Sequence, residues 1–311
     1  MKIAFQFPGQ GSQYPGMLDS FDRPEEKRLI AQAGEILGAD LLAISRNDPP
    51  GLLDQTFWTQ PAILVASVLA LGRIRETLAP DVVLGHSLGE YSALVAAGAL
   101  SFSDAVMLVH KRGRFMQEAV PEGEGLMAAV LGPEREQVEE ILARVAKNGQ
   151  EVVSVANDNC PGQCVIAGSR PTVLRAIDLL KEAGIRKVIP LPVSVPSHTA
   201  LMYRAALSMK SLLSDVVLSP LAISVVPNAT AKPLLTGEAS GEIRTLLVRQ
   251  MESPVEWRRS VSGLLENQVA RFVEVGPGTV LSGLGKRIEK AMGPRTEKVL
   301  WESTDRKEEC A

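Results

Sequence analysis

The chain has 311 residues, 45% hydrophobic and 22% charged, enough to bury a full core as one large domain or two modest ones. Its net charge of −3 provides no basic field for nucleic acid or an anionic membrane, so an acidic partner must be met by a local basic patch. The three cysteines, Cys160, Cys164 and Cys310, argue against a disulfide framework and for a reducing, cytoplasmic compartment.

Taken in chain order, residues 3–7 read as a strand ending at Pro8 and running into the glycine-rich turn Gly9-Gln10-Gly11. The alternating apolar start is unlike a charged-then-apolar leader. Residues 60–78 read as a long apolar helix, 81–86 as a short buried strand and 88–98 as a small-residue helix. A further helix covers 103–119, with Ser103 as its N-cap. Nowhere do about 18 apolar residues run uninterrupted, so a membrane span is not expected.

The middle of the chain has another rhythm. Strands at 125–131, 152–156, 163–167 and 186–191 enclose helices at 134–147 and 171–184, a β-α-β-β-α-β order. Strands at 221–227 and 271–275 then resume the earlier alternation, and the polar tail after Trp301 is expected to fray. The expected fold is α/β. Residues 1–123 and 194–311 form a discontinuous α/β-hydrolase-like unit with a parallel sheet, and residues 124–193 form an inserted ferredoxin-like unit. Cys160 and Cys164 flank Pro161-Gly162-Gln163, a setting unlike a zinc site, and no metal is expected.

Gly85-His86-Ser87-Leu88-Gly89 fits a G-x-S-x-G elbow, with the strand before it and the helix after it that the motif requires. A sharp strand-to-helix turn lifts the serine oxygen above the sheet, and the helix N-terminus favours developing negative charge. Ser87 is therefore the candidate nucleophile. Of the three histidines, His86 sits one step back along the elbow and should point away. His110 falls off the apolar stripe of its helix (Ala105, Leu108, Val109, Phe115, Met116) and reads as a surface residue. His198, on a loop leaving the inserted unit, is the candidate general base and then acid.

Arg112 occupies the position where that stripe calls for an aliphatic residue. A guanidinium facing inward requires an anionic partner, or must snorkel past Gly113 to water. By spacing alone, a side-chain carboxylate and a substrate carboxylate are equally good partners. The backbone N–H of Leu88, after the nucleophile, and that of Gln10, in the loop after the first strand, are placed to form an oxyanion hole. No Lys-Ser/Thr follows the glycines near Gln10, which disfavours phosphate cradling.

With these pieces assembled, the chain resembles the malonyl-CoA:acyl carrier protein transacylases of bacterial fatty acid synthesis. The resemblance is carried by Phe7-Pro8-Gly9-Gln10-Gly11-Ser12-Gln13, Thr59-Gln60-Pro61-Ala62, Gly85-His86-Ser87-Leu88-Gly89-Glu90 and Lys111-Arg112-Gly113. Further along it is carried by Asn159 with Pro161-Gly162-Gln163, Val195-Pro196-Ser197-His198, Gln250 with Pro254-Val255 and Trp257, and Glu274-Val275-Gly276-Pro277-Gly278. It implies that Ser87 carries the acyl group, His198 is its base and Arg112 grips the malonyl carboxylate. It also implies an oxyanion hole at Gln10 and Leu88, and a main-chain carbonyl at Gln250 in place of an orienting aspartate. Asp158 and Cys160 stand where the family usually has an aromatic residue and a serine, and Thr199 where cysteine or serine is common. Ser197, before the histidine, is small, so exclusion of methylmalonyl groups is not assured.

The resemblance implies malonyl-CoA and phosphopantetheinylated acyl carrier protein as substrates, no cofactor, and a cytoplasmic monomer without nucleic-acid or membrane partners. Lys111, Arg114, Arg186 and Lys187 are candidates for meeting the carrier, though each reads first as an ordinary solvated charge. Three alternatives share these residues. They are an acyl hydrolase on the same elbow, a non-catalytic carrier-binding subunit, and a free-standing acyltransferase serving a polyketide synthase or a malonate decarboxylase.

Overall fold

The structure, a computed structural model, describes residues 1–145, 152–193, 195–237, 240–294 and 298–305. Strand β1 (Lys2–Phe7) is followed by helices α1 (Pro24–Leu37), α2 (Leu41–Ser45) and α3 (Thr56–Ile74), strand β2 (Val82–Gly85), and helices α4 (Gly89–Ala96) and α5 (Phe102–Ala119). The middle section runs β3 (Gly125–Leu131), α6 (Arg135–Val145), β4 (Val153–Cys160), β5 (Gln163–Ser169), α7 (Arg170–Glu182) and β6 (Lys187–Pro190). A 3₁₀ turn at Ala200–Met202 leads to α8 (Tyr203–Ser214), β7 (Ser224–Val226), α9 (Ser240–Gln250), α10 (Trp257–Glu266), β8 (Val269–Glu274), α11 (Val280–Ala291) and β9 (Leu300–Ser303).

One sheet is parallel throughout, in the order β7-β2-β1-β8-β9. Helices cover both faces, so successive residues of its central strands are buried: Ala4, Phe5, Gln6 and Phe7 of β1 and Val83 and Leu84 of β2 are fully buried. The second sheet is antiparallel, in the order β4-β5-β3-β6. Helices α6 and α7 cover one face of it, with Val138, Ile141, Val173 and Leu180 in one core with Ile166 of β5. Its other face carries Met127, Ala156, Val165 and Ala167.

The two sheets are joined through β4. The Asp158 N–H donates to the Val255 carbonyl at 3.0 Å, and the Val255 N–H donates to the Ala156 carbonyl at 2.9 Å. Beside this bridge Arg258 Nε donates to Asp158 Oδ2 at 2.9 Å, and Arg135 Nη1 reaches both oxygens of Glu256 at 2.9 and 3.0 Å.

Several expectations need correction. Helix α5 is capped by Ser101, whose hydroxyl accepts from the Asp104 N–H at 3.1 Å. Ser103 lies inside the helix and accepts from Gln32 Nε2 at 2.9 Å instead. Both serines precede the apolar stripe, and only the bond to Asp104 distinguishes the cap. Helix α3 starts four residues earlier than its apolar run, because Thr56, Phe57 and Trp58 form the turn before Pro61. Pro61 has no N–H for the carbonyl of Phe57 four residues back. His110 Nδ1 takes that carbonyl at 2.8 Å, so His110 is a half-buried residue packed on Phe57 and Trp58 and not a surface one.

Of the tail expected to fray after Trp301, residues 302–305 are held in place, and residues 306–311 lie outside the described residues. β9 pairs with β8, Trp301 stacks on Phe272 with ring centres 4.3 Å apart, and its Nε1 donates to Glu289 at 2.7 Å. Ser194, Cys310 and the expected end of the 134–147 helix lie outside the described residues. By length and composition α3 is apolar enough to cross a bilayer, but 67% of that stretch is buried inside the protein.

Candidate active site

At the C-terminal end of β2 the chain turns so sharply that Ser87 takes φ +52°, a left-handed conformation that costs a side-chain-bearing residue about 1–3 kcal/mol. Backbone contacts hold it there. The Ser87 N–H donates to Asn228 Oδ1 at 2.6 Å, and its carbonyl accepts from Gln250 Nε2 at 2.9 Å. Gly89 opens α4 against β1, where a Cβ would lie 2.2 Å from the Phe7 carbonyl oxygen. Gly9 brings the loop after β1 equally close, since its Cβ would lie 2.5 Å from the His86 carbonyl oxygen.

His198 is also left-handed, at φ +61°, and only 3% exposed. Its Nε2 lies 2.8 Å from Ser87 Oγ, and its Nδ1 lies 2.8 Å from the Gln250 carbonyl oxygen. A carbonyl only accepts, so Nδ1 carries the proton and Nε2 presents its lone pair to the serine hydroxyl. Gln250 is the last residue of α9, where the carbonyl has no helical partner and is free for this use. Burial, and then the nearby charge of Arg112, push the imidazole pKa down to about 3. His86 faces the other way, with Nε2 3.0 Å from Asn159 Oδ1 and its ring 5.5 Å from that of Trp257.

Arg112 is 1% exposed. Its Nη1 donates to Gln60 Oε1 at 2.8 Å, and its Nη2 donates to Gln250 Oε1 at 3.0 Å and to Ser87 Oγ at 3.1 Å. Among the described residues its Nε has no acceptor, and no carboxylate comes within 4.0 Å of the guanidinium. A buried cation ringed by neutral acceptors is incompletely compensated. Burial accordingly lowers its pKa.

These groups open onto a cleft of about 510 Å³ between the two sheets, lined by Gln10, Ser87, Arg112 and His198 on one side and Met127 and Asn159 on the other. The backbone N–H groups of Gln10 and Leu88 border it, and neither has an intramolecular acceptor among the described residues. Among those residues no cluster of His, Cys, Asp and Glu could hold a metal.

Gln10, Ser87, Leu88, Arg112 and His198 thus line one cleft, and Gln250 is buried behind it, its side chain reaching Arg112, Ser87 and Glu90. Sequence reasoning missed the roles of Gln60, Glu90 and Asn228. Glu90 had a signal, as an acid in an otherwise small and apolar helix; Asn228, after β7, had none. Arg114, Arg186 and Lys187 are exposed, Lys111 is half-buried, and none of the four lines the cleft. Of the three departures, Asp158 serves the bridge between the sheets, Cys160 is buried with a free thiol, and the Thr199 hydroxyl donates to the Pro196 carbonyl at 2.7 Å.

Residues 4–300 match the acyl transferase domain family. The chain is 44% identical over 294 residues to the malonyl CoA-acyl carrier protein transacylase of Bacillus subtilis, covering 94% of this chain and 92% of that one. It is 46% identical over 292 residues to the Escherichia coli K12 protein of the same name, covering 92% and 93%. Among solved structures it superposes on the Coxiella burnetii transacylase with a TM-score of 0.90 at 38% identity, covering 98% and 94%. A malonyl-transacylase solved in complex with a type II PKS acyl-carrier protein gives a TM-score of 0.89 at 41% identity, covering 97% and 94%.

Proposed function

The chain belongs to the acyl transferase domain family, as one of its malonyl CoA-acyl carrier protein transacylases, and we propose that it works by carrying the malonyl group on Ser87. It moves malonyl from malonyl-CoA to the phosphopantetheine thiol of acyl carrier protein, supplying fatty acid synthesis. The observation that carries the choice of acyl group is Arg112, a buried guanidinium beside Ser87 Oγ with no carboxylate of its own.

The malonyl carboxylate docks on Arg112 in a charge-assisted pair. Ser87 Oγ attacks the thioester carbonyl as its proton passes to His198 Nε2, and the Gln10 and Leu88 N–H groups receive the oxyanion. The C–S bond breaks, and the CoA sulfur leaves with the proton from His198. In the second half the carrier thiol loses its proton to His198, attacks the malonyl ester, and Ser87 leaves reprotonated. Every step uses the chain's own groups, so the scheme calls for no cofactor. Docking also tunes the base. Arg112's charge is, after burial, the largest cause holding the imidazole down, and a bound carboxylate offsets it, so His198 becomes a better base once malonyl is in place.

The smaller unit fits a ferredoxin-like insertion at 124–193, since its own core and its strand order β4-β5-β3-β6 are those of a βαββαβ unit. Residues 1–123 and 194–311 then form the hydrolase-like unit, supported by the elbow at the C-terminal edge of a parallel sheet. We read the protein as a cytoplasmic monomer whose macromolecular partner is the carrier, with no nucleic-acid or membrane partner. The relative solved with a type II PKS acyl-carrier protein favours that carrier class as a second acceptor to assay. The experiment follows labelled malonyl-CoA with and without phosphopantetheinylated carrier. Transfer predicts label on the carrier in step with CoA release, whereas free malonate released at the same rate in both reactions would make the enzyme a hydrolase.

A further inference from the structure

Two amides pin the Ser87 peptide from opposite sides, and both are held by one carboxylate that takes no part in the steps above. Glu90 is the second residue of α4 and is 3% exposed. Its Oε2 accepts from the Asn228 N–H at 2.9 Å and from Gln250 Nε2 at 2.9 Å. Asn228 in turn takes the Ser87 N–H on its Oδ1, and its Nδ2 donates to the Gly85 carbonyl at 2.6 Å. Gln250 donates to the Ser87 carbonyl, accepts from Arg112 Nη2, and offers its own main-chain oxygen to His198 Nδ1. A single acceptor oxygen therefore stands behind the elbow, the imidazole and the guanidinium.

We propose that Glu90 is a positioning residue, which through Asn228 and Gln250 fixes the left-handed Ser87 peptide and the carbonyl that orients His198. The elbow is strained, so it relaxes if its anchors are loosened. An amide without the carboxylate is also free to turn over and present its oxygen where its nitrogen was needed. Among the described residues, Arg112 and the adjacent Tyr91 phenol are the charged and titratable groups that face Glu90, which otherwise meets the neutral amides of Asn228 and Gln250. Burial raises its carboxyl to about 7, so it changes charge near neutral pH, where His198 does not.

The inference rests on Ser87 being the acylated residue, and the test separates the two claims. Single-turnover acylation by labelled malonyl-CoA is measured for the parent, Ser87→Ala, Glu90→Ala and Glu90→Gln, each per mole of folded protein. The parent acylates and Ser87→Ala does not; if either result fails, the reading of Ser87 falls and not that of Glu90. Glu90→Ala is expected to acylate about a hundredfold more slowly, the scale of a misplaced reacting group, with the malonyl-CoA concentration for half-maximal rate changed less than about threefold. Glu90→Gln, which keeps an acceptor oxygen, recovers most of that rate. The parent's acylation profile is expected to inflect near pH 7, and Glu90→Gln to lose that inflection. Acylation of Glu90→Ala at the parent's rate overturns the inference. Should Glu90→Ala not fold, a pH profile of Glu90→Gln that matches the parent's overturns it equally.

Discussion

At the residue scale the site turns on an imbalance of charge. Arg112 is fully buried without a carboxylate in contact, and His198 is neutral because burial and that same cation oppose its protonation. Arg112→Ala should lower kcat/KM for malonyl-CoA by about 2–4 kcal/mol, the range for truncating one partner of a desolvated pair, and that for acetyl-CoA far less. Equal losses for both thioesters would make Arg112 a packing residue. The two buried titrating groups pull stability in opposite directions with pH. Glu90's carboxyl is raised from 4.5 to about 7, so its contribution is full below 4.5 and is lost as pH rises through 7. Glu90→Gln should therefore gain on the parent between pH 5 and 8 in denaturant unfolding, by up to about 3 kcal/mol at about 1.4 kcal/mol per unit. His198 is depressed from 6.5 to about 3, so its contribution is full above 6.5 and is lost as pH falls towards 3. In His198→Ala that acid-side loss should shrink.

At the element scale, turns and caps decide where chemistry sits. Gly89→Ala forces a Cβ to within 2.2 Å of the Phe7 carbonyl oxygen, which is backbone and cannot step aside. The expected cost is about 1–3 kcal/mol of stability or more, together with loss of acylation, because α4 and the elbow must move. Ser101→Ala should lower stability by about 1 kcal/mol and Ser103→Ala by only a few tenths; a larger loss at Ser103 would return the cap to it. Much of this scale was legible in the sequence. The strand-turn-helix around Ser87, the loop carrying Gln10 and the six elements of the middle section follow from local pattern and turn chemistry. The arginine at position 112 stood out because periodicity demanded an aliphatic residue. The half-buried His110 was not legible, because its partner is a carbonyl released by Pro61 on another helix. Asn228 was not legible either. An asparagine after a three-residue strand carries no local mark, and its importance arises only when β7 lies beside β2.

At the scale of the whole molecule, the cleft exists because two sheets are held at a fixed separation. Val255 extends β4 towards the parallel unit, and the buried Asp158 draws Arg258 and Arg135 to the junction. Asp158→Ala should cost about 3 kcal/mol, the low end for breaking a buried pair, because Arg258 keeps Glu134 and Arg135 keeps Glu256. Thermal unfolding checks this, and an unchanged midpoint would show the bridge to be backbone alone. Bringing Ser87, Arg112 and His198 into one cleft, with Gln250 behind them, has a single chemical purpose. The most direct measurement is the intact mass of the protein after mixing with malonyl-CoA in the absence of carrier, followed by peptide mapping. One malonyl group on the peptide containing Ser87, discharged when phosphopantetheinylated acyl carrier protein is added, is the predicted result. No adduct, or an adduct on any other residue, would contradict it.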